Sequence, residues 1–459
     1  MDIREYDLVT IGTGIAASPA RKLAKEGWKV ALVDSRPPGG TCALRGCSPK
    51  KMLRTGAVTI DLLRRMEGNG ITGSDAVRGN WQDLVKFKDS YTGPIPENNK
   101  KIYEKMGIDF FEGHASFEDQ QTLRVTAAGG EPVLLRARKF HLATGARPAE
   151  LDFPGGELAL SSDDFIHLPE LPRRIVFIGG GFISMEFAHL AARYGSECTV
   201  VHPRERPLPA FDPDLVDMLK KVSEEEAGIR FVSDSRVCSI TQKQGVYTVC
   251  TRKSSGAESE IEADLVVHGA GRVPNLDGLN LEAAGVTHDK RGVKVNEYLQ
   301  CTTNPEFYAA GDCADTGAPH LSLVASIEGR TVSHNILHCN RQTADYSSVS
   351  ATVFTLPALA STGLSEAECE RQGLDFEKKF GETKRWFTNR HLNEPAGAYK
   401  ILLEKGTGRI LGAHLLAHHC EEFVNLFAMA IQHRLTRRDL STVLWAHPSA
   451  ASDLARMLS

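Results

Sequence analysis

The sequence has no surplus of positive charge: its 459 residues carry 54 Lys+Arg against 58 Asp+Glu, a net charge of -4. A surface built to displace counterions from nucleic-acid phosphates shows a basic excess, so no nucleic-acid partner is expected. Long apolar runs are missing too. The cleanest, Phe423 to Ile431 (FVNLFAMAI), contains Asn425 and falls far short of the roughly 18–20 residues of a membrane span. The first residues, MDIREYDLVTIGTG, lack the apolar core and small-residue cleavage site of a secretory signal. The 10 cysteines lack the dense spacing of a secreted disulfide framework, with Cys198, Cys238, Cys250 and Cys301 standing singly. These absences predict a cytoplasmic globular chain with no membrane partner. Its length suits about three domains.

What is present begins with a glycine turn. The β-rich run Tyr6 to Ile11 leads into Gly12-Thr-Gly14-Ile-Ala-Ala17, a helical stretch to Gly27, and a second strand ending at Asp34. Gly12 permits the tight turn, Gly14 lets the backbone approach a pyrophosphate, and Ala17 keeps the helix close to the sheet. Asp34 follows Gly12 by 22 residues, where a carboxylate can bond ribose hydroxyls. The unit then recurs. Arg174 to Ile178 runs into Gly179-Gly-Gly181-Phe-Ile-Ser184, a helix through Tyr194, and the strand Cys198 to Val201. The residue at the acid's position is His202, followed by Arg204 and Arg206. One site ending in an acid and one in a basic cluster point to two different dinucleotides. Arg204 and Arg206 could pair with a 2′-phosphate, favouring NADPH over NADH; the bland alternative is a solvated loop.

Between the two units lies Gly39-Gly40-Thr41-Cys42-Ala-Leu-Arg-Gly46-Cys47-Ser48-Pro49-Lys50-Lys51. A regular helix separates residues five apart by about 7.5 Å along its axis, beyond the roughly 4.4–6.8 Å between the Cα atoms of a disulfide. The backbone must therefore distort, and Gly46 gives it freedom. Ser48 and Pro49 read as N-cap and first helical residue, which places Cys47 just ahead of a helix N-terminus, where a thiolate is favoured. A metal site or two unrelated thiols are the alternatives. Zinc usually takes four Cys or His ligands, and no partner pair lies nearby. A redox pair is the preferred reading.

With these motifs in hand, the sequence resembles the class I pyridine nucleotide-disulfide oxidoreductases, and glutathione reductase most among them. The likeness is carried by GGTCALRGCSPKK, Ala143-Thr-Gly145, GGGFISMEFA around Glu186, GAGRVPN around Arg272, Phe307 to Asp312, Phe354 to Pro357, and Ala446-His447-Pro448. It implies an α/β fold with two Rossmann-like dinucleotide-binding domains and a C-terminal α+β dimerisation domain, hence a homodimer. It also implies FAD in the first unit and NAD(P)H in the second, where Arg204 and Arg206 favour NADPH, with NADH less expected.

The resemblance further implies catalytic roles for Cys42, Cys47, Lys50, Glu186 and His447. Cys42 becomes the interchange thiol and Cys47 the thiolate facing the flavin. Lys50 and Glu186 form an ion pair near it, and His447 is the acid-base residue given by the opposite subunit. The implied cofactor-binding set is Gly12, Gly14, Ala17, Asp34, Gly40, Thr41, Lys51, Ala115, Gly145, Gly179, Gly181, Phe182, Ile183, Arg204, Arg206, Gly271, Arg272 and Asp312. Phe182 holds the position of an aromatic gate. No resident metal is implied.

The pattern departs from relatives in three places. Where many carry a Glu five residues after the catalytic His, this chain has Ser452, with Asp453 one position on. Such a shift turns a side chain about 100° on a helix, so Asp453 is not expected to replace the Glu, and slower turnover follows. Leu44 and Arg45 stand between the cysteines in place of Asn and Val. His418-His419-Cys420 looks like a ligand cluster, yet neighbouring residues at a helix start cannot all face one ion.

The chain ends in ARMLS, without the Cys-Cys tail of mercuric reductases. The expected divisions are 1–148 and 271–345 for FAD, 149–270 for NAD(P), and 346–459 for the interface, with FVNLFAMAI as dimer core. The leading function is NADPH-driven reduction of a small disulfide, glutathione disulfide first. The alternatives are reduction of a metal or metalloid, free or as a thiol adduct, and a non-catalytic flavin redox sensor.

Overall fold

Leu8, Val9, Thr10 and Ile11 are buried on both faces of their strand, as the central strand of a parallel sheet must be. In the computed structural model, which describes residues 3–459, this strand, Ile3–Ile11, pairs in parallel with Val30–Asp34 on one side and Val133–Leu142 on the other. Asp109–Glu112 and Phe307–Ala309 extend the parallel order outward, and Thr122–Thr126 and His114–Phe117 add an antiparallel edge. Phe117, Phe140 and Phe307 pack face and edge on one another beneath the sheet. The helix after the first glycine turn is Ser18–Lys25, preceded by a 3-10 turn, Ile15–Ala17. It ends at Lys25, two residues short of the expected Gly27, which takes φ +84° and closes the helix.

Backbone contacts divide the chain into one unit of Met1–Lys50, Phe87–Ala149 and Arg272–Tyr346 and another of Lys51–Lys86, Glu150–Gly271 and Ser347–Ser459. The second unit repeats the parallel plan with Arg230–Val232, Glu197–Val201, Arg174–Ile178 and Leu265–His268 in that order. Its helix Phe182–Arg193 is buried nearly all round. One side meets Leu53, Ala57, Trp81 and Val85, which share a core with Phe165, Phe177 and Phe187. A three-stranded antiparallel sheet, Ser235–Lys243, Val246–Lys253 and Glu258–Ala263, packs on the parallel one through Val237, Ile240, Val249 and Ile261.

From Ser350 the chain forms a five-stranded antiparallel sheet covered by the helix Cys420–Gln432. Phe423, Val424, Phe427 and Ala430 of that helix bury themselves against their own sheet, while Met429 stays exposed. The apolar face proposed as dimer core is thus consumed within the chain. Two Rossmann-like units and a C-terminal α+β part make up the expected architecture. Among the described residues no helix is long and apolar enough to cross a membrane.

Candidate active site

Gly39 and Gly40 take φ of +149° and +71°, a conformation closed to other residues, and launch a one-turn helix, Gly40–Leu44, that carries Cys42. It breaks at Arg45, and a 19-residue helix, Cys47–Arg65, starts two residues later. The distortion expected between the cysteines is this break. The helix begins earlier than Ser48, because Lys50 already donates its N–H to the Gly46 carbonyl at 3.1 Å. A Cβ at Gly46 would lie 3.0 Å from the Thr41 carbonyl oxygen, so glycine lets the two helical turns close up.

The two thiols are hydrogen bonded to each other. That bond first, and burial second, hold the Cys42 thiol well above the ordinary cysteine range. Cys42 therefore keeps its proton. Cys47 is exposed, stands at a helix N-terminus, and has its Sγ 3.3 Å from Ser322 Oγ, the first residue of the helix Ser322–His338. Both features stabilise an anion there.

The first glycine turn carries Gly12 at φ +104°, where a Cβ would sit 2.1 Å from the Ala143 carbonyl oxygen. Gly14 differs: the nearest atom to a Cβ there is Gly40 Cα at 3.9 Å. Two glycine backbones face each other and leave room at a helix N-terminus, the cradle a pyrophosphate requires. Asp34 Oδ2 accepts the Thr13 N–H at 2.9 Å and hydroxyl at 2.6 Å, and its other oxygen accepts Arg36 N–H. Ala17 is buried against the sheet, Thr41 sits in the first turn before Cys42, and Ala115 packs on the core. Gly145 has open space around it.

Asp312 follows Gly311, whose N–H donates to Glu328 at 2.6 Å. Burial pushes the Glu328 carboxyl up, and hydrogen bonds from Gly311, Tyr346 and Thr316 only partly reverse it. These residues fit a dinucleotide: the glycine cradle is empty of side chain and the acid stands at the strand end.

The second turn matches the first atom for atom at Gly179, whose Cβ would meet the Gly269 carbonyl oxygen at 2.6 Å. Gly181 and Gly271 have the same open space as Gly14 and Gly145, the nearest atom to Gly181 lying 3.7 Å away. Phe182 is 50% exposed at the head of its helix, while Ile183 packs on the core. His202, however, is only 1% exposed, wedged beneath Gly180 with its Nε2 3.2 Å from Ser233 Oγ. Burial and the Lys220 charge push it down to about 4. Arg206 is clamped by Asp217 through Nε at 2.7 Å. Arg204 is exposed and makes no ion pair among the described residues. Arg272 donates to the Ala146 carbonyl at 2.6 Å and so ties its strand to Ala146–Pro148.

Glu186 is buried and accepts the Phe354 N–H at 2.8 Å. Lys50 lies half-buried in the first turn of its helix. Lys51 reaches Glu421 at 2.9 Å and lies over the Phe354 ring. Burial alone would raise Glu421, but Lys51 and Arg54 more than offset it and leave the carboxyl low. His418 meets Glu394 at 2.9 Å and packs its ring on His419 at 3.9 Å, while Cys420 is fully buried.

His447 is exposed, and its Nδ1 lies 3.3 Å from Ser452 Oγ. That hydroxyl donates to the Ser449 carbonyl at 2.7 Å and accepts the Ser449 N–H at 3.2 Å. With its hydrogen committed, Ser452 can only accept from His447. Nδ1 then carries the proton and Nε2 presents its lone pair. Asp453 takes the Thr388 hydroxyl instead. Ser452 thus does for the ring's orientation what the missing Glu would do, without its charge.

Sequence reading did not find Ser322 or Glu328, and it read Glu421 only within the cluster from His418 to Glu422. Each acts through a partner brought up by the fold, and no local motif marks it.

Residues 6–329 match the pyridine nucleotide-disulphide oxidoreductase family, and residues 349–458 match its dimerisation domain. A mercuric reductase of Staphylococcus aureus is 33% identical over 95% of this chain and 79% of its own. A glutathione reductase of Nostoc sp. is 30% identical over 99% of both chains. Among solved structures, the Cu(II) complex of the HOCl-induced flavoprotein disulfide reductase RclA from Escherichia coli superposes with a TM-score of 0.88 at 25% identity, covering 100% of this chain and 99% of that one. The family binds FAD and a pyridine nucleotide. The glycine turns, the hydrogen-bonded thiols and the matched length agree: the chain belongs to the pyridine nucleotide-disulphide oxidoreductases and is an enzyme of that family.

Proposed function

We propose that this enzyme uses FAD and NADPH to reduce a small disulfide, glutathione disulfide first, through Cys42 and Cys47. The observation that supports it most is the asymmetric thiol pair, with Cys42 held protonated and Cys47 at a helix N-terminus. Bound FAD would supply the two-electron link between the nicotinamide and the cysteines.

The chain's own residues do the exchange. His447 Nε2 takes the Cys42 proton, and the Cys42 thiolate attacks one sulfur of the substrate. The leaving thiolate takes that proton back and departs as the first thiol. Cys47 then attacks Cys42 Sγ in the mixed disulfide and closes the Cys42–Cys47 bond. The second sulfur leaves as a thiolate and takes its proton from solvent. One disulfide is consumed, one is formed, and two thiols are released.

Arg204 supports NADPH over NADH, since it offers a guanidinium to a 2′-phosphate and no acid stands at the strand end. The homodimer reading rests on the matched dimerisation domain and on the segment around His447, where Leu444 is 98% exposed. A second copy would cover that leucine and receive the histidine.

The likeness to mercuric reductase supports a second reading, reduction of a metal or metalloid ion or its thiol adduct. NADPH oxidation by the holoenzyme at saturating glutathione disulfide tests both. Turnover well above the blank is expected, and Cys42→Ser should lower it by about 1,000-fold or more while flavin reduction by NADPH persists. A rate equal to the blank, with turnover on a metal or its thiol adduct, would establish the second reading.

A further inference from the structure

A second pair of thiols meets far along the sequence from Cys42 and Cys47. Cys238 Sγ and Cys250 Sγ lie 2.7 Å apart on neighbouring antiparallel strands. Regular pairing would forbid this. Val237 faces Thr251 and Ser239 faces Cys250, so Cys238 is the extra residue of a β-bulge between them. In an alternating strand Cys238 would lie on the face opposite Ser239. Instead burial runs in, out, out, in over Val237, Cys238, Ser239 and Ile240, so the bulge turns Cys238 onto the outer face that Cys250 already occupies. Bulges re-aim side chains in this way. Both thiols are partly exposed and within reach of a small reagent.

Glu258 completes a group of three donor atoms within 4.8 Å of one another, which raises the question of a metal. Two observations speak against it. The carboxylate is held by Arg252 through Nε at 2.7 Å and a terminal nitrogen at 2.6 Å. Two thiolates on one tetrahedral zinc, with bonds of about 2.3 Å, would stand about 3.7 Å apart. The approach at 2.7 Å is closer than that.

We propose that Cys238 and Cys250 form a second dithiol/disulfide site in the second unit, oxidised by small-molecule disulfides. The Cys238 thiolate attacks one sulfur of the disulfide and releases the first thiol. Cys250 then attacks Cys238 Sγ, its proton passing to the departing second thiol. Two protein thiols and one disulfide become one protein disulfide and two small thiols. The hydrogen bond with Cys238, with burial behind it, pushes Cys250 up to about 11. The strand that carries Cys238 starts at Ser235, whose N–H donates to the His202 carbonyl, and Asp234 just before it donates to Arg204. The pair therefore sits on the strand that supports the basic loop.

The test is made on the holoenzyme carrying Cys42→Ser, incubated with glutathione disulfide and no NADPH, then alkylated and digested with trypsin without reduction. Cleavage after Arg236, Lys243 and Arg252 separates the two cysteines into VCSITQK and QGVYTVCTR. The expected result is one product joining these peptides, lost in Cys238→Ser and in Cys250→Ser and reversed by dithiothreitol. Recovery of both peptides alkylated, or as separate glutathione adducts, would overturn the proposal. So would protection of both thiols by one equivalent of Zn(II) that a chelator removes, with no joined product. Because Cys42 is absent and no NADPH is present, a failed turnover assay leaves this test intact.

Discussion

At Gly12 a Cβ would collide with a carbonyl oxygen at 2.1 Å, and at Gly179 with another at 2.6 Å, under φ of +104° and +102°. Up to that point the two nucleotide units are one design used twice. They part at the end of the next strand. Asp34 stays at the surface with both oxygens gathering donors, whereas His202 turns under Gly180 and becomes part of the packing. The lesson is that backbone demands repeat, since sterics are the same in both, while the residue at a shared offset takes its role from what surrounds it. The second unit has a buried ring where the first has an acid, and in the loop beyond it Arg204 is exposed with no ion pair among the described residues while Arg206 meets Asp217.

Acid gives the largest effect on buried histidines in both units. His141 of the first is pushed down to about 3 by burial, and in the second His202 is pushed to about 4 and His189 well below its ordinary value. A histidine held below its unfolded value binds its proton first in the unfolded chain. Its contribution is complete above about pH 6.5 and is lost as pH falls toward the folded value. At about 1.4 kcal/mol per unit, the full loss is about 5 kcal/mol for His141 and about 3.5 kcal/mol for His202. Urea unfolding followed from pH 7 to below pH 3 should flatten more in His141→Phe than in His202→Asn, the two losses being nearly equal down to pH 4. Equal slopes in the two variants would dissolve the contrast.

Alanine at either first glycine should cost about 3–4 kcal/mol through overpacking and a forced positive φ. Gly12→Ala is expected to purify with little flavin, and Gly179→Ala with flavin in place but a raised KM for NADPH. Flavin loss from both would contradict two distinct dinucleotide sites. The basic loop gives a smaller effect. Arg204→Glu should raise the KM for NADPH by about 10–100-fold, or about 1.5–3 kcal/mol, and leave that for NADH unchanged. Arg206→Ala, already neutralised by an exposed partner, should change it by less than about 3-fold.

Smallest is Ser452→Ala. It removes the acceptor for His447 Nδ1, and kcat on the disulfide should fall about 3–10-fold with its pH profile shifted. An unchanged profile would remove Ser452 as the ring's orienting group.

Much of this was legible in the residues. The glycine turns, the strand patterns and the Cys42–Cys47 spacing were readable because each is a short-range demand: a positive φ, a period, a distance the backbone must bend to meet. Other features were not. Lys51–Lys86 looks like a continuation of the first unit, yet Leu53, Trp81 and Val85 bury themselves with Phe165 and Phe187 of the second. Phe423 to Ile431 reads as a surface for a partner, yet its apolar side already has its sheet. Hydrophobic pattern specifies that a face is buried, and not what buries it.

The sequence by itself determined the two dinucleotide folds, the close approach of Cys42 and Cys47 and the family, because those rest on local sterics and on motifs in fixed order. Only the tertiary structure decided that His202 is packing, that Arg206 meets Asp217 while Arg204 stays exposed, that Ser452 bonds His447, and that Cys238 meets Cys250. Each of these depends on which distant group completes a hydrogen bond, a salt bridge or a bulge, and that choice is made when the strands pair and the core closes.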